Sequence, residues 1–220
     1  MRFLRCVHAE FLLVSPRLTR TRLGISLLAL GATLVWLSAR GFDALTVTLQ
    51  AGALGAILGA AAIVGNEGDR AALTTALTHP TTPLAVATGR WLAIVLPASV
   101  LTMACTTALG WHPDVALAGV MTAAAVGSCA MALVLPLGSS AALALFLFMA
   151  VAGTVAPERL IDLARPGVLR LTAASAMELG PALWHYRDIV TGDLGAIIHA
   201  GAWNGLGILI ASAFIARRHR

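Results

Sequence analysis

The sequence predicts an all-α membrane protein with six transmembrane helices, and three observations carry that expectation. Between Trp91 and Pro157 a single residue, Asp114, bears a formal charge, whereas a water-exposed surface of that length needs many. Six apolar stretches are long enough, or nearly so, to cross a hydrocarbon core of about 30 Å, which takes roughly 17 to 25 helical residues. None of them alternates polar and apolar residues as a membrane barrel strand does, so helices must satisfy the backbone inside lipid.

The chain opens on residues 1 to 20, where Phe3, Leu4, Val7, Phe11 and Val14 share one helical stripe and Arg2, Arg5 and His8 lie off it. That pattern predicts an amphipathic interfacial helix, its basic residues meeting anionic lipid. Phe11 to Val14 is too short an apolar core, before Pro16 and Arg17, for a cleavable secretion signal. The spans follow at Leu23–Ala39, Leu45–Gly65, Trp91–Leu109, Val115–Leu137, Ser139–Ala156 and Leu194–Ala216. The fourth and fifth form one apolar run punctuated by Pro136, Gly138, Ser139 and Ser140, which predicts a helical hairpin. Gly55 and Gly59 in the second span, and Gly201 and Gly205 in the sixth, have the GxxxG spacing that lets helix backbones approach closely in lipid.

Charge placement sets the expected orientation. With six spans both ends share a side, which collects Arg2, Arg5, Arg17, Arg20, Arg22, Arg70, Arg90, Arg217, Arg218 and Arg220 against Glu10, Glu67 and Asp69. By the positive-inside rule both termini are expected in the cytoplasm, so the net charge of +5 is a topology signal and not a nucleic-acid footprint. Trp36, Trp91, Trp111 and Trp184 fall near the expected interfaces. Cys6 is expected in the cytoplasm, and Cys105 and Cys129 in spans, so no disulfide framework is readable. The six histidines are scattered without ligand spacing, so no metal site is expected.

Two connections exceed what a hairpin needs, and function is expected there. The cytoplasmic one, residues 66 to 90, reads as a short helix capped by Asn66 and ended before Pro80. A second helix starts at Pro83 and runs through Gly89 and Arg90 into the third span. The external one, residues 157 to 193, alternates signs at Glu158, Arg159, Asp162, Arg165 and Arg170, then carries Glu178, His185, Arg187, Asp188 and Asp193. A solvated face is the plain reading of such charges.

The run from Asp69 through Leu73, Leu77, Pro80, Leu84, Gly89, Arg90 and Leu92 resembles the loop after the second span in type-2 ABC transporter permeases, although Ala71 stands where that family usually has glycine. A second segment, Leu179 to Arg187, is similar to the Leu-Asn-Pro segment of the same family, with Gly180 in place of asparagine. The resemblance covers nearly the whole chain as a single permease domain, 1–220. It implies a cytoplasmic coupling helix between spans 2 and 3, contacting the ATPase through Glu67, Asp69, Arg70, Leu73, Leu77, His79 and Pro80. It further implies short external helices before span 6. By the same resemblance the chain is the transmembrane subunit of an ATP-driven exporter in the bacterial cytoplasmic (inner) membrane. Its partners would be two copies of a cytoplasmic ABC ATPase, a second permease copy or sister permease, and membrane lipids, with no nucleic acid. The cargo would be hydrophobic or amphipathic: a lipid, drug, glycan carrier, peptide or haem. The 220 residues include no lysine and therefore no Walker A motif, so ATP and Mg are expected on the partner and no cofactor on this chain.

Substrate chemistry is sparse. The spans as drawn hold no acid or arginine, which argues against a proton relay and for an apolar path. Gln50, His199 and Asn204 are the candidate translocation-path residues, with interhelical hydrogen bonding as the simpler role for each. Two alternatives compete with the permease. A substrate-binding subunit of an energy-coupling importer also has six spans at about this length. A rhomboid-like intramembrane protease would use Ser128 and His199, but Ser128 lies in Gly127-Ser128-Cys129-Ala130, without the Gly-x-Ser-Gly pattern.

Overall fold

The computed structural model describes residues 2–17, 23–65, 81–152, 167 and 180–218, and every element among them is helical. They are α1 (Arg2–Val14), α2 (Leu23–Ala39), α3 (Ala44–Val64), α4 (Pro83–Ala108), α5 (Pro113–Leu137), α6 (Ser139–Ala152), the short α7 (Leu183–Tyr186) with a 3-10 turn over Arg187–Thr191, and α8 (Leu194–Arg218). Four of them, α3, α4, α5 and α8, are long and apolar enough to cross a membrane. The protein thus has the build of a membrane-embedded helical bundle. The other two expected spans are shorter: α2 has 17 residues and α6 has 14, the latter only about 21 Å of helix at 1.5 Å per residue. Residues 153–156, expected to complete the fifth span, lie outside the described residues, as do most of the external connection and all of residues 66–80.

Local chemistry sets the boundaries. Asp43 caps α3 by accepting from the Thr46 backbone N–H, and Thr82 caps α4 by accepting from Ala85, with Pro83 in the first turn where its missing N–H costs nothing. Gly138 ends α5 at φ +79, a conformation that strains any residue with a Cβ, and Ser139 begins α6 immediately. Across the bundle Arg187 donates to Asp43 Oδ2 at 2.9 Å, tying the 3-10 turn to the α3 cap; both side chains are about half exposed. Asp43→Ala should therefore cost about 1 kcal/mol, mostly through the lost cap, and Arg187→Ala well under 1 kcal/mol, as for surface ion pairs. Thermal denaturation of the two variants in one detergent checks the order.

At the centre lies α3, buried along most of its length and packed on α4 and α5. Its Gly55 and Gly59 face α4: a Cβ on Gly55 would come 3.2 Å from Leu101 and one on Gly59 3.0 Å from the Ile94 carbonyl. The pairs 55 with 98 and 59 with 94 make α3 and α4 antiparallel. Gly52 against Gly119, and Ala56 near Gly127, make α3 and α5 parallel. Around this contact Ile57, Ile63, Ile94, Met131 and Leu135 form the densest part of the core. Four wholly or nearly buried threonines, Thr48, Thr102, Thr106 and Thr122, donate to the carbonyl four residues earlier in their own helices at 2.8–2.9 Å.

The glycine pair of α8 behaves differently from that of α3. Gly201 and Gly205 are exposed, and a Cβ on either would meet nothing within 4 Å among the described residues. Close packing of α8 within the chain falls instead on Gly207, whose added Cβ would come 2.6–2.7 Å from Ser128. The reason is orientation: Gly207 lies on the α5 side of the helix, while Gly201 and Gly205 share the outward side with Ile198 and Leu209.

Candidate functional site

Among the described residues, buried polar chemistry gathers most densely in two places. The first is the seat of α1. Its expected membrane-facing stripe splits: Val7 and Val14 are buried, while Leu4 is 70% exposed. The buried line of α1 runs Val7, Glu10, Val14, and α1 packs on α4. The expected apolar stripe therefore meets protein, and it carries a carboxylate. Gly89 makes the approach feasible, since a Cβ there would lie 2.7 Å from the Glu10 Cβ and 2.8 Å from the Val7 carbonyl. Beside it Arg90, wholly buried, donates from Nε to Glu10 Oε1 at 2.8 Å. Arg17, just past α1, donates to the Ile63 carbonyl in the last turn of α3 at 3.0 Å. It thereby satisfies a carbonyl that the helix end leaves without an intrahelical donor.

Helix α4 starts at Pro83, as the Thr82-Pro83 pair predicts, so Arg90, one residue before the span as drawn, sits inside a helix of membrane length and pairs with Glu10. Glu10 is the residue the sequence reading passed over, counting it only as one more acid on the arginine-rich side. Its position three residues after Val7 and four before Val14 was the available signal. Trp91 reaches towards α5, its Nε1 donating to the Ala124 carbonyl at 3.4 Å.

The second place is where α7, α8 and α5 meet. Tyr186 is fully buried, and its hydroxyl has no hydrogen-bond partner among the described residues. Burial pushes its phenol well above the ordinary tyrosine range, so it remains a neutral hydroxyl. Its ring lies 5.7 Å from that of His199, whose imidazole also meets His185 edge-on at 5.3 Å. Trp203 Nε1 donates to His199 Nε2 at 3.0 Å, which places the proton of a neutral His199 ring on Nδ1. Ser128 shares its single hydroxyl hydrogen between the Ala125 carbonyl at 2.9 Å and the Trp203 carbonyl at 3.2 Å.

Of the three candidate path residues, His199 belongs to this cluster. Gln50 is nearly fully buried and tied elsewhere: its amide donates to the Met149 carbonyl of α6 at 3.2 Å, and its Oε1 has no partner among the described residues. Asn204 is partly buried with Oδ1 likewise unpartnered among the described residues. Ser128, the nucleophile of the protease alternative, bonds to the backbone carbonyls of Ala125 and Trp203. The coupling residues Glu67, Asp69, Arg70, Leu73, Leu77, His79 and Pro80 all lie outside the described residues. No protein-family model matches the chain, and no curated protein or solved structure matches it. Among the described residues no group of three histidine, cysteine or acidic side chains gathers as a metal site.

Proposed function

We propose that this chain is the transmembrane half of an ATP-driven transporter of the type-2 ABC class, moving a hydrophobic or amphipathic molecule out of a bacterial cytoplasm by alternating access. One observation carries the reading: an amphipathic N-terminal helix is seated on the first turns of α4 through Gly89 and the Glu10–Arg90 ion pair. Those turns directly follow the segment whose residues resemble the ATPase-contacting loop of that class. A membrane protein that only anchors itself has no use for a buried charge pair at this place, because such a pair adds little net stability over apolar packing.

In this reading α2 and α6 complete six spans, both termini and α1 face the cytoplasm, and two copies of the chain or a sister pair form the transport unit. Two ATPase subunits close on ATP and press on residues 66–80 and on α1. The displacement enters the bundle at the start of α4. The small-residue contact of α3 with α4 and α5 supplies surfaces that slide with little interlocking, and Tyr186 with its imidazole and indole neighbours forms the polar lining nearest the outer face.

Affinity purification in a mild detergent tests this directly. Stoichiometric recovery of a protein of roughly 25 to 35 kDa bearing a Walker A sequence is expected. Recovery of the chain alone, in detergent that preserves known complexes, would overturn it. Leu73→Arg should leave the complex intact and abolish the dependence of ATP turnover on the permease, and normal coupled turnover in that variant would count against the assigned coupling loop.

A further inference from the structure

We infer that Glu10 is a register lock: its ion pair with Arg90 fixes α1 at one longitudinal position on α4, so that the two move as a single arm. The apolar side of the α1 seat cannot do this. Val7, Phe11 and Val14 offer non-directional contact, and Gly89 admits α1 by lacking a side chain rather than by any directional bond. A buried charge pair is directional, and its best-attested use is to specify register where apolar packing leaves it open.

The neighbours of Glu10 make the lock exclusive. It is the one carboxylate between Arg2 and Arg17. A slip of α1 by one turn, about 5.4 Å, would set Cys6 or Val14 against Arg90; a slip of three residues would set Val7 or Leu13 there. None of these side chains carries a negative charge to pair with the wholly buried guanidinium. Arg17 on the Ile63 carbonyl then holds the far end of the arm to α3. Glu10 is thus a positioning residue: it acts on transport through α1 and α4, and that part of its role rests on the permease reading above.

Native Cys6, half-buried in seated α1, reports the lock, and deeply buried Cys105 in α4 reports the integrity of the bundle. Both are to be followed by site-resolved labelling with a charged maleimide in nanodiscs, where both membrane faces are open. Glu10→Gln should raise the Cys6 labelling rate by about tenfold or more, as for loss of a charge-assisted hydrogen bond, with Cys105 still protected. Exchanging the charges, Glu10→Arg with Arg90→Glu, should return Cys6 to within about twofold of the original rate. Unchanged Cys6 labelling in Glu10→Gln would overturn the lock. So would failure of the exchanged pair to restore protection, or labelling of Cys105 in the exchanged variant, because a pair that only sets register tolerates exchange. In the purified complex, coupled ATP turnover should fall in Glu10→Gln and recover in the exchanged variant. If no ATPase co-purifies, the permease reading falls while the Cys6 kinetics still decide the lock. If the ATPase is present and Cys6 ignores Glu10→Gln, the lock falls alone.

Discussion

Arg90→Ala is expected to lower the stability of the folded chain by about 3 to 5 kcal/mol, the range found when one partner of a buried ion pair is removed. The loss comes less from the missing attraction than from what remains. Glu10 is 6% exposed in the intact protein, so without Arg90 its carboxylate must be neutralised, hydrated or withdrawn. Withdrawal pulls α1 from its seat and exposes Val7 and Val14. The informative companion is Glu10→Leu with Arg90→Met, which puts two apolar side chains of similar bulk in the same space. Stability should return to within about 1 to 2 kcal/mol of the original, because apolar replacement of a buried pair is often neutral, while coupling to an ATPase should not return. Thermal denaturation in detergent measures the first quantity and permease-dependent ATP turnover the second. A single Arg90→Ala variant as stable as the original would mean that the guanidinium is not confined as the geometry places it.

The second large effect belongs to the three-helix contact at Gly52 and Gly119. A Cβ on Gly52 would sit 2.4 Å from the Gly119 carbonyl oxygen, and one on Gly119 would sit 2.3 Å from the Thr102 methyl and 2.8 Å from that of Thr48. Backbone cannot rotate aside, and both threonines are held by hydroxyl bonds to their own helices. Gly52→Leu or Gly119→Leu must therefore drive α3, α4 and α5 apart, at about 3 kcal/mol or more, the upper part of the range for overpacking. Gly201→Leu is the control. Its Cβ meets nothing within 4 Å among the described residues, so the monomer should change by less than about 0.5 kcal/mol. Yield of folded protein by gel filtration, with thermal denaturation, separates the cases, and equal tolerance at Gly119 and Gly201 would contradict the close contact.

Most of the helix inventory was legible because lipid imposes it: an apolar run of spanning length has few other structures available. The start of α4 was legible for local reasons, since Thr82 followed by Pro83 is a capping residue followed by a first-turn residue. Tertiary facts were less accessible. Gly55 and Gly201 begin the same four-residue spacing, yet one faces α4 and the other faces outward, because the spacing records which side of a helix is small and not what lies beside it. Gln50 finds its acceptor 99 residues away in α6, a pairing no local pattern contains. Glu10 was half legible. Its place on the apolar line of α1 pointed to burial, but naming Arg90 as its partner required α1 to be seated on α4.

The threonine hydroxyls bear on how this chain is made. Thr48, Thr102, Thr106 and Thr122 each bond within their own helix. Each of these side chains is satisfied as soon as its own helix forms, so a helix can leave the ribosome and enter lipid before its neighbours arrive. Arg90 differs in that it is a buried charge whose counter-ion lies on another helix, and α4 cannot supply one from its own residues. Its partner is encoded 80 residues earlier, so α1 has been synthesised and is already available when α4 emerges. The order of the gene along the messenger thus supplies the counter-ion before the charge that needs it.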